Sequence, residues 1–205
     1  MNLAIFFDTE TTGLPLFKEP SEHPAQPHIV QLGALLVDLD TRVVHSTIDL
    51  IVQPDGWEIP DDVAAIHGIT TERALEVGVP EDQALSMFMH LWRLASVRIG
   101  HNETFDARIV RIGLMRHASP QEADLWKAGA AKCTQRIATP IMKLPPTEKM
   151  VAARMPGPKS ANLREAYEYF MGKPLEDAHS AMADARGCME VYFAATAQQT
   201  EPVAA

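Results

Sequence analysis

The chain has 205 residues, of which 46% are hydrophobic and 22% are charged, and its formal net charge is −9. This composition is ordinary for a globular protein of one or two domains, and no apolar run in the sequence approaches the roughly 18 residues that cross a bilayer, so we expect no membrane partner. The negative average charge by itself argues against a nucleic-acid partner, because phosphates attract basic proteins.

The charge is unevenly distributed along the chain. Residues 1–92 contain 3 basic and 15 acidic residues, residues 93–173 contain 14 and 7, and residues 174–205 contain 1 and 5. The net charges of these three parts are therefore −12, +7 and −4. A basic middle between acidic ends weakens the argument against a partner that carries phosphates.

The first half of the chain is predicted to form a sheet. Residues 3–7 are a short apolar run that is typical of a buried strand. Four prolines within residues 15–27 prevent a regular element and predict a loop. Residues 29–37 and 43–52 are aliphatic and β-branched, and the linking segment Asp38-Leu39-Asp40-Thr41 predicts a hairpin.

Helical periodicity dominates from Pro80 onwards. Pro80-Glu81-Asp82 suits the first turn of a helix, and the apolar residues that follow at spacings of three and four predict a stripe that faces the core. Five prolines predict that residues 140–158 are loop or short helix. The other predicted elements are a strand at 97–100 and helices at 105–116, 162–171 and 181–195.

These elements indicate an α/β protein, a mixed β-sheet flanked by helices. We expect one domain over residues 1–197, followed by a short disordered tail at 198–205, which is polar and small in composition. The cysteines, Cys133 and Cys188, are too few for a disulfide framework, favour a reducing compartment such as the cytoplasm, and are expected to be structural.

Two carboxylates follow the first predicted strand. Asp8 and Glu10 are two residues apart, so their side chains point to the same face of extended backbone. Two like charges held close together repel, and such a pair commonly needs a proton or a cation, for which carboxylate oxygens favour magnesium or manganese. For this pair alone, the alternative is a polar turn after a strand.

Two further polar clusters stand at predicted helix starts. The first runs from His101 to Asp106, and by itself it is explained by helix capping with Asn102 as the N-cap. The second contains His179 and Asp184, which on a regular helix would point about 140° apart. Either His179 precedes the helix on loop backbone, where it could act as a general base, or it is unrelated to Asp184 and solvated.

Together and in this order, the clusters resemble the motifs of the DnaQ-like 3′–5′ exonucleases of the DEDDh class, including the proofreading epsilon subunits and exonuclease X. The matching stretches are Asp8-x-Glu10-Thr11-Thr12-Gly13-Leu14, His101-Asn102-x-x-Phe105-Asp106 and His179-x-Ala181-x-x-Asp184, with the accessory stretches Gly33-Ala34, Ile66-His67-Gly68-Ile69-Thr70 and Cys133-Thr134. The resemblance covers residues 3–195. It implies an RNase H-like fold and metal-dependent hydrolysis of phosphodiester bonds.

The resemblance also implies a role for each motif residue. Asp8, Glu10, Asp106 and Asp184 would hold two divalent ions, Mg²⁺ or Mn²⁺, and His179 would accept the proton of the attacking water. The reaction would release nucleoside monophosphates from the 3′ end of DNA, which we expect to be single-stranded.

Substrate contacts are implied at two places. The residues concerned are Thr11, Thr12, Gly13, Leu14, His67, Asn102 and Phe105. Plain core packing is the alternative for Phe105, and a hydrogen bond to backbone beside Gly68 is the alternative for His67. Residues 127–173 carry 9 basic and 3 acidic residues, and we expect members of this set, including Lys159, to line the approach of the strand. Their alternative is a solvated surface.

Departures from the family pattern leave other functions open. The proline-rich loop at 15–27 adjoins Leu14, and Glu103 adds an acid beside the expected metal site. No tail with a polymerase-binding peptide is recognisable, so a polymerase partner is unsupported and a free-standing exonuclease is expected. An exoribonuclease or oligoribonuclease, a non-catalytic nucleic-acid-binding subunit and an unrelated metal-binding domain are the alternatives, and the sequence does not separate roles in DNA repair and DNA replication.

Overall fold

A computed structural model, which describes residues 1–200, contains a mixed five-stranded sheet in the order β3-β2-β1-β4-β5. Strand β1 pairs antiparallel with β2 and parallel with β4; β2 and β3 form the predicted antiparallel hairpin, and β4 and β5 are parallel. The strands are β1 (Leu3–Thr11), β2 (Ile29–Asp38), β3 (Val44–Ile51), β4 (Val97–Gly100) and β5 (Ala131–Cys133). The predicted fold class is therefore confirmed.

Helices connect and cover the strands. Their bounds are α1 (Asp61–His67), α2 (Thr71–Val77), α3 (Glu81–Leu94), α4 (Glu103–His117), α5 (Pro120–Ala128), α6 (Thr134–Met142), α7 (Glu148–Ala152), α8 (Leu163–Met171) and α9 (Ala181–Thr200). Helix α9 continues past its predicted end, and residues 201–205 of the predicted tail lie outside the described residues. Within the described part of the chain, none of the helices is long and apolar enough to cross a membrane.

Helices cover both faces of the sheet. Successive residues of β1 point in opposite directions, so the strand contributes side chains to both of the resulting clusters. Ile5 and Phe7 belong to a cluster formed with α3, α4 and α5, in which the ring of Phe7 lies 5.5 Å from that of Trp126. Ala4 and Phe6 belong to a second cluster formed with α9, in which Phe6 packs edge-on against Tyr192. The central strand is thereby fixed between two layers of helices.

Helix α9 lies directly against β2 at Gly33. A Cβ atom on Gly33 would come within 2.3 Å of the carbonyl carbon of Ala181, which is backbone at the start of α9 and has no room to move aside. Gln31 secures the same contact, because its side-chain oxygen accepts a hydrogen bond of 3.0 Å from the Ala181 N–H. Strand β2 therefore sets the position of the first turn of α9.

We expect Gly33→Ala to lower the free energy of unfolding by about 2 kcal/mol or more, because the added methyl group forces α9 away from the sheet. Gly187→Ala is the matched control: its Cβ would meet the flexible end of Leu175 at 3.0 Å and the ring of Tyr167 at an ordinary 3.5 Å, and alanine favours helix. Urea unfolding of both variants measures the difference. Similar midpoints for the two variants would contradict the close contact.

Candidate active site

The structure brings the four predicted carboxylates together from three elements. Strand β1 continues past its predicted end at Phe7, so Asp8 and Glu10 lie within the strand. Asp106 lies in the first turn of α4, which follows the neighbouring parallel strand β4, and Asp184 lies in the first turn of α9. The order of the sheet and the packing of α9 on β1 therefore assemble residues that are far apart in the sequence.

The carboxylates raise one another's pKa values. Burial raises the pKa of Asp8 well above its ordinary value, and the charges of Asp106, Asp184 and Glu10 raise it further. Burial, followed by the charges of Asp184 and Asp106, raises the pKa of Glu10 to about 7. Such a cluster is costly when every member is ionised, because like charges are held together out of water.

Asp106 is held by a residue that the sequence interpretation missed. Burial raises the pKa of Asp106 to about 7, opposed by hydrogen bonds from Thr9. The Thr9 N–H and hydroxyl donate to the same Asp106 oxygen at 3.0 and 2.7 Å. Thr9 stands between Asp8 and Glu10, so the only sequence signal was a small donor between two acids.

His179 precedes α9 and lies on loop backbone, which is the position that the first of the two alternatives requires. The residue is exposed and has a left-handed backbone with φ of +72°, and its N–H donates to Asp184 at 3.4 Å. One potential ligand atom each from Glu10, His179 and Asp184 lies within 4.8 Å of the others. The imidazole is therefore beside the carboxylates and open to solvent.

The donor set fits a divalent cation. Asp184 Oδ1 is buried and has no hydrogen-bond partner among the described residues, although burial of an oxygen without a partner is costly. Burial raises the pKa of Asp184, while the backbone N–H and charge of His179 and the charge of Arg164 oppose this. Carboxylate oxygens gathered in this way are the ligands that magnesium and manganese prefer.

The turn after β1 is fixed by hydrogen bonds. The Thr11 hydroxyl donates to the Gly13 carbonyl at 2.8 Å, and Thr12 exchanges two bonds of 3.0 Å with the backbone of His28. Leu14 follows with 76% of its surface exposed. The turn thus presents an uncovered apolar side chain four residues beyond Glu10.

The remaining residues predicted to contact the substrate are His67, Asn102 and Phe105, and they lie outside the turn after β1. His67 makes the predicted hydrogen bond to backbone, because its Nδ1 accepts from the Ile69 N–H at 3.2 Å, and its Nε2 is buried without a partner among the described residues. Burial, and then the charge of His179, lower the pKa of His67, so the two rings are near each other. Phe105 is half-buried against the core, and Asn102 occupies the N-cap position of α4 without a side-chain capping bond.

Two charged residues that the sequence analysis singled out, Glu103 and Lys159, form ion pairs with other residues of the chain. Glu103, the extra acid, is buried in an ion pair with Arg98 at 2.6 Å, so it is neutralised within the core. Lys159 is half-buried and paired with Glu165, which sits in the first turn of α8. Arg164 is exposed, and its charge lowers the pKa of Asp184, so Arg164 is a basic residue close to the carboxylates.

The raised pKa values predict how the metal-free protein responds to pH. Glu10 and Asp106 titrate near 7 when folded but have ordinary values of 4.5 and 3.8, so the folded state binds more protons between these limits. Their contribution to stability is therefore present below about pH 4 and is lost as the pH rises through 7. In chelator, we expect the Tm to fall between pH 5 and 8, and Mg²⁺ to restore it more at pH 8 than at pH 5. A Tm that is unchanged by pH and by Mg²⁺ in thermal unfolding would argue against this cluster.

A family model matches most of the chain. The RNase_T family, described as Exonuclease, matches residues 5–192. No curated protein matches the chain. The match extends from β1 into α9 and thus includes all four carboxylates and His179.

Solved structures share the fold. The chain is similar to E. coli exonuclease I in complex with a dT13 oligonucleotide, with 20% identity, a TM-score of 0.71, and coverage of 97% of this chain and 41% of that chain. For the complex of E. coli exonuclease I with a 5cy-dT13 oligonucleotide, the identity is 19%, the TM-score is 0.73, and the match covers 97% of this chain and 41% of that chain. For the zinc-bound form of the E. coli exonuclease I–ssDNA complex, the identity is 20%, the TM-score is 0.71, and the match covers 98% of this chain and 42% of that chain. The chain therefore spans about two fifths of the length of these proteins, and the predicted RNase H-like fold is confirmed.

Proposed function

The chain belongs to this exonuclease family, that of the DnaQ-like 3′–5′ exonucleases, and we propose that it is a metal-dependent enzyme that releases nucleoside monophosphates from the 3′ end of single-stranded DNA. The observation that carries the proposal is the convergence of Asp8, Glu10, Asp106 and Asp184 in one partly buried cluster whose pKa values are raised. We propose further that residues 1–197 act as one exonuclease domain.

The four carboxylates would hold two divalent ions, Mg²⁺ or Mn²⁺. The unpartnered oxygen of Asp184 and the mutual repulsion of the cluster support this assignment. Ions bound there supply Lewis-acid activation of a water molecule and stabilisation of the departing 3′-oxygen. Thr9 orients Asp106 by two hydrogen bonds, and Gln31 orients the turn that carries Asp184.

His179 acts as the general base. Its ring is exposed beside Glu10 and Asp184, and a neutral imidazole can accept a proton from water and pass it to solvent. The hydrogen bond from its backbone to Asp184 ties this loop to the metal-binding carboxylate. The loop position leaves the ring free to approach the scissile phosphate.

The terminal nucleotide would meet the turn after β1. Thr11, Thr12 and Gly13 form its hydrogen-bonded backbone, and Leu14 stands out from it as an apolar surface for a base. His67, Asn102 and Phe105 would support the same nucleotide, since Asn102 and Phe105 stand at the start of α4, which carries Asp106. Arg164 and Lys159 would contact phosphates. The oligonucleotide complexes of E. coli exonuclease I support single-stranded DNA as the first substrate to test.

Labelled strands test the proposal directly. Single-stranded DNA and RNA of one sequence, labelled at the 3′ or the 5′ end, are incubated with Mg²⁺ and with chelator. We expect release of labelled mononucleotide from the 3′-labelled DNA, gradual shortening of the 5′-labelled DNA, and no reaction in chelator or with Asp184→Asn. Faster cleavage of RNA than of DNA would indicate that the enzyme is an exoribonuclease. Binding of either strand without cleavage would indicate a non-catalytic subunit.

A further inference from the structure

The proline-rich loop between β1 and β2 is braced from within. Gln26 is buried, and its side-chain oxygen accepts a hydrogen bond from the Leu16 N–H at 3.0 Å. The amide nitrogen of the same side chain donates to the carbonyls of Leu16 at 3.1 Å and Pro20 at 2.9 Å. One buried side chain thus fastens the two ends of the loop together, which replaces the bonds that prolines cannot make.

Helix α4 braces the same loop from outside. Arg108 donates to the Glu19 carbonyl at 2.6 Å, and Arg111 donates to the Ser21 hydroxyl at 2.8 Å. Arg116 donates to the Gln26 carbonyl at 2.9 Å. These arginines were counted in the basic middle of the sequence, but their guanidinium groups hold the loop in place.

Phe17 and Lys18 form the tip of this braced loop. The Glu19 N–H donates to the Leu16 carbonyl at 3.0 Å, so Phe17 and Lys18 are the central residues of a tight turn. Phe17 is 69% exposed, and Lys18 is exposed and makes no ion pair with any residue in the range 1–200. An aromatic ring and a free cation therefore stand side by side on a rigid support.

The setting of Lys18 makes this pair unusual. Residues 1–92 contain 15 acidic residues and only three basic ones, which are Lys18, Arg42 and Arg73. The chain between Leu14 and Phe17 can span at most about 11 Å between Cα atoms, so the pair lies close to the turn that we assign to the terminal nucleotide. A single exposed apolar residue is ordinary, but a ring and a cation fixed beside this turn match the chemistry of a nucleotide.

We propose that Phe17 and Lys18 form a second contact for the substrate strand, in which Phe17 stacks on a base upstream of the 3′-terminal nucleotide and Lys18 pairs with a phosphate. This inference rests on the proposed function. Stacking on an aromatic ring tolerates any base, and a neighbouring cation follows the backbone, so the contact is independent of sequence. The rigid loop lowers the entropic cost of forming it.

Steady-state kinetics on single-stranded oligonucleotides test the contact. Phe17→Ala is expected to raise KM by between about fivefold and a hundredfold with kcat unchanged, because it removes binding that does not change in the transition state. Phe17→Trp should retain the wild-type KM. Leu125→Ala on α5 replaces a comparably exposed apolar residue, 58% exposed, and serves as the matched control. On a chromogenic ester of a single nucleoside 5′-monophosphate, which has no base upstream of the terminal nucleotide, the wild type and Phe17→Ala should behave alike.

The salt dependence of the affinity distinguishes the contribution of Lys18 from that of Phe17. Lys18→Ala should weaken binding and lower the slope of log affinity against log salt by about 0.7, the value for one phosphate of a single strand, whereas Phe17→Ala should leave the slope unchanged. Affinity measured by fluorescence anisotropy in chelator gives this result without cleavage. An unchanged KM for Phe17→Ala, or an equal effect of Leu125→Ala, would overturn the contact while the exonuclease stands. A wild type that binds but does not cleave would overturn the proposed function alone.

Discussion

His179→Ala is expected to lower kcat by about a hundredfold to ten-thousandfold, which is the range that a positioned general base contributes. The ring stands outside α9, is open to solvent and lies beside Glu10 and Asp184. Because Asp8, Glu10, Asp106 and Asp184 stay in place, the affinity for Mn²⁺ should change little. His90→Ala, at an exposed histidine on α3, is the control and should retain full activity.

The result to look for is a separation of chemistry from metal binding. A Mn²⁺ titration followed by electron paramagnetic resonance reports the affinity, and single-turnover cleavage reports the chemical step. A loss of metal affinity as large as the loss of rate would make His179 a ligand instead of a base. Its closeness to Glu10 and Asp184 makes that a definite alternative for the experiment to exclude.

Asp8→Asn is expected to act in opposite directions on activity and on stability. It should lower the exonuclease rate by about a thousandfold, because metal ions contribute several kcal/mol to such reactions and Asp8 is a proposed ligand. In chelator at pH 8, however, it should raise the Tm. The wild-type carboxylate is partly buried beside three others, and its raised pKa means that ionising it costs stability.

The pH dependence of this gain is the control. The stability cost of Asp8 is absent at low pH, where the group is protonated, and it grows as the pH rises through its folded pKa. The gain from Asp8→Asn should therefore shrink between pH 8 and pH 5, and Asp55→Asn, at an exposed carboxylate, should show no gain at either pH. A lower Tm for Asp8→Asn at pH 8 would mean that Asp8 is not repelled by its neighbours.

The sequence predicted the core strands and the long helices, but it ended β1 too early. Asp8, Thr9 and Glu10 are poor or mixed strand formers, and local propensity favours a turn there. In the structure, pairing with β2 continues, with Asp8 opposite Gly33 and Glu10 opposite Gln31. Long-range pairing overrides local preference at the place where the chain positions its carboxylates.

Other elements were missed for local reasons. Helix α5 begins at Pro120 after Ser119, whose hydroxyl accepts a bond from the Glu122 N–H, and this capping signal was present in the sequence but was not used. Helix α6 includes Pro140, although prolines argue against helix. The helix ends two residues later, at Met142, as expected after a residue that cannot donate a backbone hydrogen bond.

The identities of the four carboxylates and of His179 were predicted from three motifs, but their partners were not. The bonds from Thr9 to Asp106 and from Gln31 to Ala181 join residues 97 and 150 positions apart. The charge count also overstated the positive charge that is available to a ligand. Arg98 is paired with Glu103, and three arginines of α4 donate hydrogen bonds to the proline-rich loop at 15–27. Such assignments depend on tertiary contacts that no local pattern encodes.

The position of α9 has a consequence for synthesis of the protein in the cell. Asp8 and Glu10 are made together with β1, whereas Asp184 and His179 follow only after most of the domain. A nascent chain that ends before residue 184 lacks one of the four acids and the helix that packs on β1. The hydrolytic centre is therefore completed only when the segment that begins α9 has been translated, and a shorter nascent chain held next to its own messenger RNA carries no assembled nuclease.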